Sequence, residues 1–413
     1  MTPPIIPELL APAGAMEQLI TAIRYGADAV YVGTKRFGLR EYAGNFSVEE
    51  LALASSICHQ NNKKIYVTMN SYLFDDELDD FMLMADAVYQ AGADAVIVSD
   101  MGAVSMLKDQ LPELAVHIST QANTLNSAAV MAYRAMGAKR VIVARELSID
   151  RLAQMRAIIP PDIQLEAFCH GAVCMAYSGR CILSSVLTNR SANQGRCAQP
   201  CRWKYALTEE KRPGEYMPID EDANGTYLLS ARDLNLMPLL PRLINCGLSS
   251  IKIEGRMKSE YYVAGVVSAY RHGLDALRES IELFNHNLPS LMNELEKVSH
   301  RRYDTGFAER MPGNDFHGEG VYQSMEYTGC VMANGKAGEP VMIELKNRFF
   351  INDALEVLTP QKVLPFTPNK MILADTGESV QTCGIAGTLL KVVFPYDVSR
   401  GDIIRGPVRN HPR

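Results

Sequence analysis

Cysteine is the residue type in this chain whose spacing first suggests chemistry. Nine cysteines occur, at positions 58, 169, 174, 181, 197, 201, 246, 330 and 383, and five of them fall between Cys169 and Cys201. In a reducing compartment such a cluster reads as a metal or iron–sulfur site rather than a set of disulfides. A cubane cluster or a closed zinc site needs four ligands. The spacing here is Cys174-x6-Cys181, a 15-residue gap, then Cys197-x3-Cys201. Zinc ribbons pair their ligands about two to four residues apart. Only the last pair fits that pattern, which favours iron–sulfur. The isolated Cys58, Cys246, Cys330 and Cys383 read as buried, inert thiols.

Charge in the same stretch is reversed relative to the chain. The 413 residues carry a formal charge of -6, which argues against sequence-blind binding of polyanions. Segment 169–212, however, sets Arg180, Arg190, Arg196, Arg202, Lys204, Lys211 and Arg212 against Glu209 and Glu210, a local +5. That excess suits a phosphate backbone or another anion, and Trp203, Tyr177 and Tyr205 could stack on an unpaired base, a solvated loop with core aromatics being the competing reading.

These residues need a scaffold, and the first 256 residues repeat one. A helix-period segment ends at Gly and a short β-rich run follows, as in Gly26–Gly33, Gly92–Ser99, Gly137–Ala144 and Gly247–Glu254. Filling the gaps predicts strands near 8–12, 28–33, 64–69, 94–99, 115–119, 139–144, 163–169 and 250–254. Helices are predicted at 16–25, 47–61, 75–91, 101–110, 126–136, 148–158, about 236–246 and 260–280. Eight such units predict an α/β fold, a (β/α)8 TIM-barrel-like domain over 1–300. A Cys-rich insertion, 170–249, lies between strands seven and eight, on the face where barrel active sites form. Short β-like segments at 326–333, 339–345, 354–359, 370–375 and 390–395 predict a small antiparallel β-barrel-like domain over 301–413, joined by a helix ending near His300. No run of 18 apolar residues occurs, so no membrane span is expected. Met1 to Met16 lacks a basic n-region, so a cytoplasmic chain is expected.

Polar residues at the ends of the strands should line the barrel mouth. They are Asn70, Asp100, Gln121, Arg145, Glu146, His170, Glu254, Arg256 and Lys258. Among these, His170 and Glu254 are candidates to move protons, with Asp100 and Gln121 as further catalytic candidates. Glu166, inside a strand, reads as structural support. For every one of these residues a bond holding the barrel rim is the competing reading.

The segment Glu166-Ala-Phe-Cys-His-Gly-Ala-Val-Cys-Met-Ala-Tyr-Ser-Gly-Arg-Cys-Ile-Leu-Ser184, continuing to Cys201-Arg-Trp203, resembles the signature of the collagenase-like peptidase family U32. Glu8-Leu-Leu-Ala-Pro-Ala-Gly14, Ser119-Thr-Gln-Ala-Asn123 and Lys252-Ile-Glu-Gly-Arg256 look like further motifs of that family. Within it the chain looks most like the branch that hydroxylates the wobble uridine of tRNA without molecular oxygen. That resemblance implies prephenate as co-substrate, tRNA as partner and a [4Fe-4S] cluster. It implies Cys174, Cys181, Cys197 and Cys201 as ligands, with Cys169 spare, and it leaves room for a homologous partner subunit. Prephenate carries two carboxylates, for which Arg is the natural bidentate partner, so Arg145, Arg256 and then Lys258 are expected to bind it. Asn70, Arg180, Arg196 and Trp203 complete the expected substrate contacts.

Two other functions remain open at this stage: a peptidase, and a non-catalytic zinc- or cluster-stabilised RNA-binding protein. The peptidase finds little chemistry here. The sequence has neither His-Glu-x-x-His nor Gly-x-Ser-x-Gly. Cys169 and His170 are strand neighbours whose side chains should point to opposite faces.

Overall fold

A computed structural model describes residues 5–39, 44–174, 176, 181, 183–203, 232–309 and 321–409, with the backbone of four two-residue strands between 207 and 226. Seven parallel strands come first: β1 (Glu8–Pro12), β2 (Ala29–Gly33), β3 (Lys64–Thr68), β4 (Ala95–Val98), β5 (Ala115–Ile118), β6 (Arg140–Ile142) and β7 (Gln164–Gly171). An eighth strand, Ser250–Ile253, pairs in parallel with both β1 and β7 and closes the barrel. The predicted α/β barrel is therefore the observed one.

Its local causes are those read from the sequence. Gly26, Gly92, Gly137 and Gly247 each leave a helix with φ between 72° and 104°, a backbone that L side chains resist. The strands that follow are buried almost throughout, as expected where helices cover one side and the barrel core the other. Helix Val48–Gln60 begins with the expected reciprocal cap: Ser47 Oγ accepts from Glu50 N at 3.2 Å, and Glu50 Oε2 accepts from Ser47 N at 2.8 Å.

The barrel interior holds charge as well as apolar side chains. Glu166 is fully buried, with Oε2 3.0 Å from Arg140 Nη1 and Oε1 3.4 Å from Lys252 Nζ. Arg140 Nη1 also lies 2.7 Å from Glu8 Oε1, and the Lys252 ammonium sits 4.0 Å from the centre of the Tyr31 ring. Burial pushes the Lys252 amine down, against the pull of Glu166 and Glu254. Glu166 thus has the supporting position expected of it.

The insertion is shorter than its expected bounds. Strand β7 runs on to Gly171, and a strand at Asp233–Asn235 returns antiparallel onto its end, pairing Asn235 with His170 and Leu234 with Gly171. Beyond position 300, the strand Tyr303–Asp304 pairs with Asp233–Leu234 and belongs to the same sheet. Helix Glu260–Glu279 is followed at once by Ile281–Glu296, the expected connector. The second domain is antiparallel. Its main sheet runs, in order, Val363–Phe366, Leu355–Leu358, Ile403–Pro407, Met325–Val331, Pro340–Leu345, Leu389–Val393, Met371–Leu373 and Ser379–Val380, around a separate apolar core. Fully buried Arg405 ties it to the connector helix: its Nη2 lies 2.7 Å from both Glu294 Oε2 and Glu356 Oε2. Tyr25, from the barrel, donates its hydroxyl to Leu358 O at 2.7 Å. Among the described residues, no helix is long and apolar enough to cross a membrane.

Candidate active site

The loops at the C-terminal ends of the strands are fastened to one another. After β3, Asn70 Nδ2 donates to Ser119 Oγ at 3.0 Å, and the same oxygen accepts from Gln121 N at 3.3 Å. The turn Thr120–Ala122 is tied to the end of β6, with Thr120 Oγ1 donating to Val143 O and Ala144 N donating to Thr124 O, both at 3.1 Å. Asn70, Gln121 and Arg145 are thereby brought onto one rim.

Arg256 reaches the same face from the closing strand. It is buried, and its Nη1 donates to Thr68 Oγ1 at 2.9 Å. Gly33 makes room for it, since a Cβ there would stand 2.2 Å from Arg256 Nη1. Glu254 is half-buried, and its Oε2 accepts from the Tyr31 hydroxyl at 3.1 Å. The Arg145 guanidinium lies 3.9 Å from the centre of the Phe168 ring and donates from Nη1 to Ala172 O at 3.2 Å.

Other expected site residues are used elsewhere. His170 is buried, with Tyr270 Oη 3.5 Å from Nδ1 and Tyr303 Oη 3.4 Å from Nε2. Burial drives its pKa down to about 3, with Asp233 pulling the other way. The returning strand covers it, so His170 is a neutral core residue rather than a proton carrier at the mouth. Lys258 donates from Nζ to Ser299 O at 2.9 Å and lies over the Tyr262 ring, away from the Asn70 rim. Asp100 caps helix Met101–Gln110 by accepting from Ala103 N at 3.0 Å. Arg180, with Tyr177, Lys204, Tyr205 and 209–212, lies outside the described residues.

The described part of the Cys-rich insertion reaches across the mouth. Asn193 O accepts from Tyr72 N at 3.2 Å, and Gly195 abuts the loop after β2, where a Cβ would stand 2.5 Å from Gly38 O. Trp203 and Arg196 are exposed. Helix Leu183–Thr188 packs on the turn Pro200–Arg202, and Ser184 Oγ accepts from Ala198 N at 3.0 Å. Cys174 is exposed, whereas Cys181, Cys197 and Cys201 are half-buried. Gln199, held at φ 56°, donates its backbone N–H to Cys197 Sγ at 3.3 Å, the kind of bond that tunes a ligating sulfur. Cys169 is fully buried and donates its thiol to Lys252 O at 3.4 Å. Four accessible thiols in one loop fit a cluster as a donor set. Among the described residues, however, no three Cys, His, Asp or Glu side chains stand close enough together to hold a metal.

Residues 14–317 match the family described as Peptidase family U32, and residues 323–405 match the Peptidase family U32 C-terminal domain. The chain belongs to peptidase family U32. Among U32 relatives it is 36% identical to the tRNA hydroxylation protein P of Escherichia coli (strain K12), covering 95% of this chain and 94% of that protein. It is 34% identical to the 23S rRNA 5-hydroxycytidine synthase of the same strain, covering 90% of this chain and 55% of that protein. It is also 34% identical to a collagenase of Porphyromonas gingivalis (strain ATCC BAA-308 / W83), covering 65% and 66%. In this U32 chain Cys169 and His170 do not form a nucleophile–base pair. Burial pushes the thiol well up, and both ring nitrogens of the histidine face tyrosine hydroxyls.

Reading the strand ends alone passed over Asn123, Thr124 and Tyr31. Asn123 closes the Ser119–Asn123 motif in a left-handed conformation, with φ 51°. Its place in that motif was the available signal. Tyr31 sits inside a continuous apolar run and carried no signal of its own.

Proposed function

We propose that this chain is an RNA-modifying enzyme that hydroxylates the wobble uridine of tRNA to 5-hydroxyuridine, without molecular oxygen and with prephenate as co-substrate. The observation that carries the reading is the end-to-end likeness to a tRNA hydroxylation protein. The geometry supports it, because a polar barrel mouth lies beneath an insertion whose exposed Trp203 and Arg196 suit a base and a phosphate. In this reading Arg145 and Arg256 hold the carboxylates of prephenate. Glu254 is the remaining candidate for moving a proton at the mouth. Cys174, Cys181, Cys197 and Cys201 would hold a [4Fe-4S] cluster, which with all four irons ligated would supply electron transfer rather than an open Lewis-acid site. The enzyme works in the cytoplasm.

The test is nucleoside mass spectrometry of tRNA from a strain lacking the gene and any paralogue. Loss of 5-hydroxyuridine-derived nucleosides, restored by the intact gene and not by Cys181→Ala, is expected; unchanged nucleosides reject the reading. Anaerobically purified protein should absorb near 400 nm and contain iron and sulfide. A colourless, zinc-loaded protein rejects the cluster.

A further inference from the structure

Four oxygen atoms on one side of the mouth are buried and have no hydrogen-bond partner among the described residues: Asn70 Oδ1, Gln121 Oε1, Asn123 Oδ1 and Thr124 Oγ1. Arg145 Nε, beside them on the next loop, is in the same condition. Native interiors satisfy nearly all their polar atoms, because a buried unmatched group forfeits its bond to water. A gathering of such atoms on three loops, after β3, β5 and β6, is what groups reserved for a ligand look like. The loops are held in place by their other bonds. Ser119 Oγ takes hydrogen bonds from Asn70 Nδ2 and Gln121 N, Asn123 N donates to Thr120 O at 2.9 Å, and Thr124 O takes the Ala144 N–H. The side-chain oxygens are therefore presented by a rigid frame.

The chemistry of these groups selects the ligand. A primary amide sets a donor beside an acceptor, whichever way it is turned. Its complement is a flat edge with N–H beside C=O, as on the Watson–Crick edge of uracil, where N3–H lies between two carbonyls. A carboxylate offers acceptors only, and would meet the amide oxygens with repulsion. Arg145 is the donor suited to an acid lying next to the base.

We propose that Asn70, Gln121 and Asn123 form a subsite that reads the N–H/C=O edge of an unpaired pyrimidine base swung into the barrel mouth. Arg145 then marks the border with the acid. The assignment rests on the RNA-hydroxylase reading and deepens it. Enzymes that act on a base within RNA take it out of the stack and read this edge in a pocket. It separates the work of the two regions: the insertion holds the strand, and the β3–β5–β6 rim identifies the base.

The experiment measures binding of the full chain, anaerobically purified, to two short single-stranded RNA oligonucleotides. One has a central uridine and the other an abasic site at that position. The intact protein should bind the uridine oligonucleotide about tenfold or more tighter. Asn70→Ala/Gln121→Ala should bring the two affinities within about twofold, by weakening the uridine oligonucleotide alone. Asn123→Gly keeps the left-handed backbone while removing the amide, and should reduce the preference by itself, so the conclusion does not depend on one variant folding. If the intact protein binds both oligonucleotides equally, or the variants keep the preference, the subsite assignment is overturned and the RNA reading stands. If the intact protein binds neither, the RNA reading falls and the assignment with it. If the amide variants lose binding of malonate, a simple dicarboxylate probe, while keeping the uridine preference, the rim is an acid site and the proposal is wrong.

Discussion

Mild acid should destabilise the barrel through His170. The imidazole is buried and faces Tyr270 Oη at 3.5 Å and Tyr303 Oη at 3.4 Å, with the Tyr262 ring centre 6.2 Å from its own. Burial lowers its pKa from an ordinary 6.5 to about 3; Asp233 opposes the shift, and His300 and Lys258 add to it. The sign follows from proton counting. Between those two values the unfolded chain holds a proton on His170 that the folded chain does not, so stability falls as pH falls. The rate is about 1.4 kcal/mol per pH unit, so the step from pH 6.5 to 5 costs about 2 kcal/mol. Carboxylates titrate too, so the comparison is with His170→Gln, which lacks the proton site and keeps the rest. Urea unfolding of both proteins at pH 7.5 and pH 5.0 measures the difference. The variant is expected to be less stable at pH 7.5, and that loss cancels in the comparison across pH. The wild-type protein should lose about 2 kcal/mol more than the variant on acidification. Equal losses would refute the reasoning, because they would mean that His170 takes up its proton in the folded protein as freely as in the unfolded one.

Two further outcomes are expected. Arg405→Met removes a fully buried guanidinium from between Glu294 and Glu356. Those carboxylates are partly solvated and both face Lys297, so the loss should be about 2–3 kcal/mol, below that of a fully buried pair. Calorimetry should show the two domains unfolding in separate transitions, whereas the wild-type protein should unfold in one. Gly195→Ala places a Cβ 2.5 Å from Gly38 O at a φ of +87°. The left-handed backbone alone costs about 1–2 kcal/mol, and the insertion should lift from the loop after β2. Limited proteolysis should then cut within 172–203 sooner, with the barrel's own unfolding midpoint nearly unchanged.

The barrel was legible because its evidence is local. Each strand is an apolar run following a helix-ending glycine, and that pattern needs no knowledge of distant residues. Five strands of the second domain were not legible in this way, and two of them show why, one for a local reason and one for a distant one. Val363–Phe366 contains Pro365, a residue that interior strands exclude and an edge strand tolerates. Ile403–Pro407 contains Arg405, whose burial depends on Glu294, over a hundred residues away.

The site divides along the same line. By itself, the sequence determined the barrel, the cysteine-rich loop within it and the family signature, since each depends on residue type and short spacing. The tertiary structure alone decided where each polar residue at a strand end is used. His170, Glu254 and Arg145 look alike at the ends of strands. A segment some 60 residues downstream returns over His170 and removes it from solvent, while Ser119 and Thr120 draw Asn70, Gln121 and Arg145 onto one rim. Whether a polar group is buried, paired or left open depends on what the fold lays against it, and spacing along the chain does not carry that information.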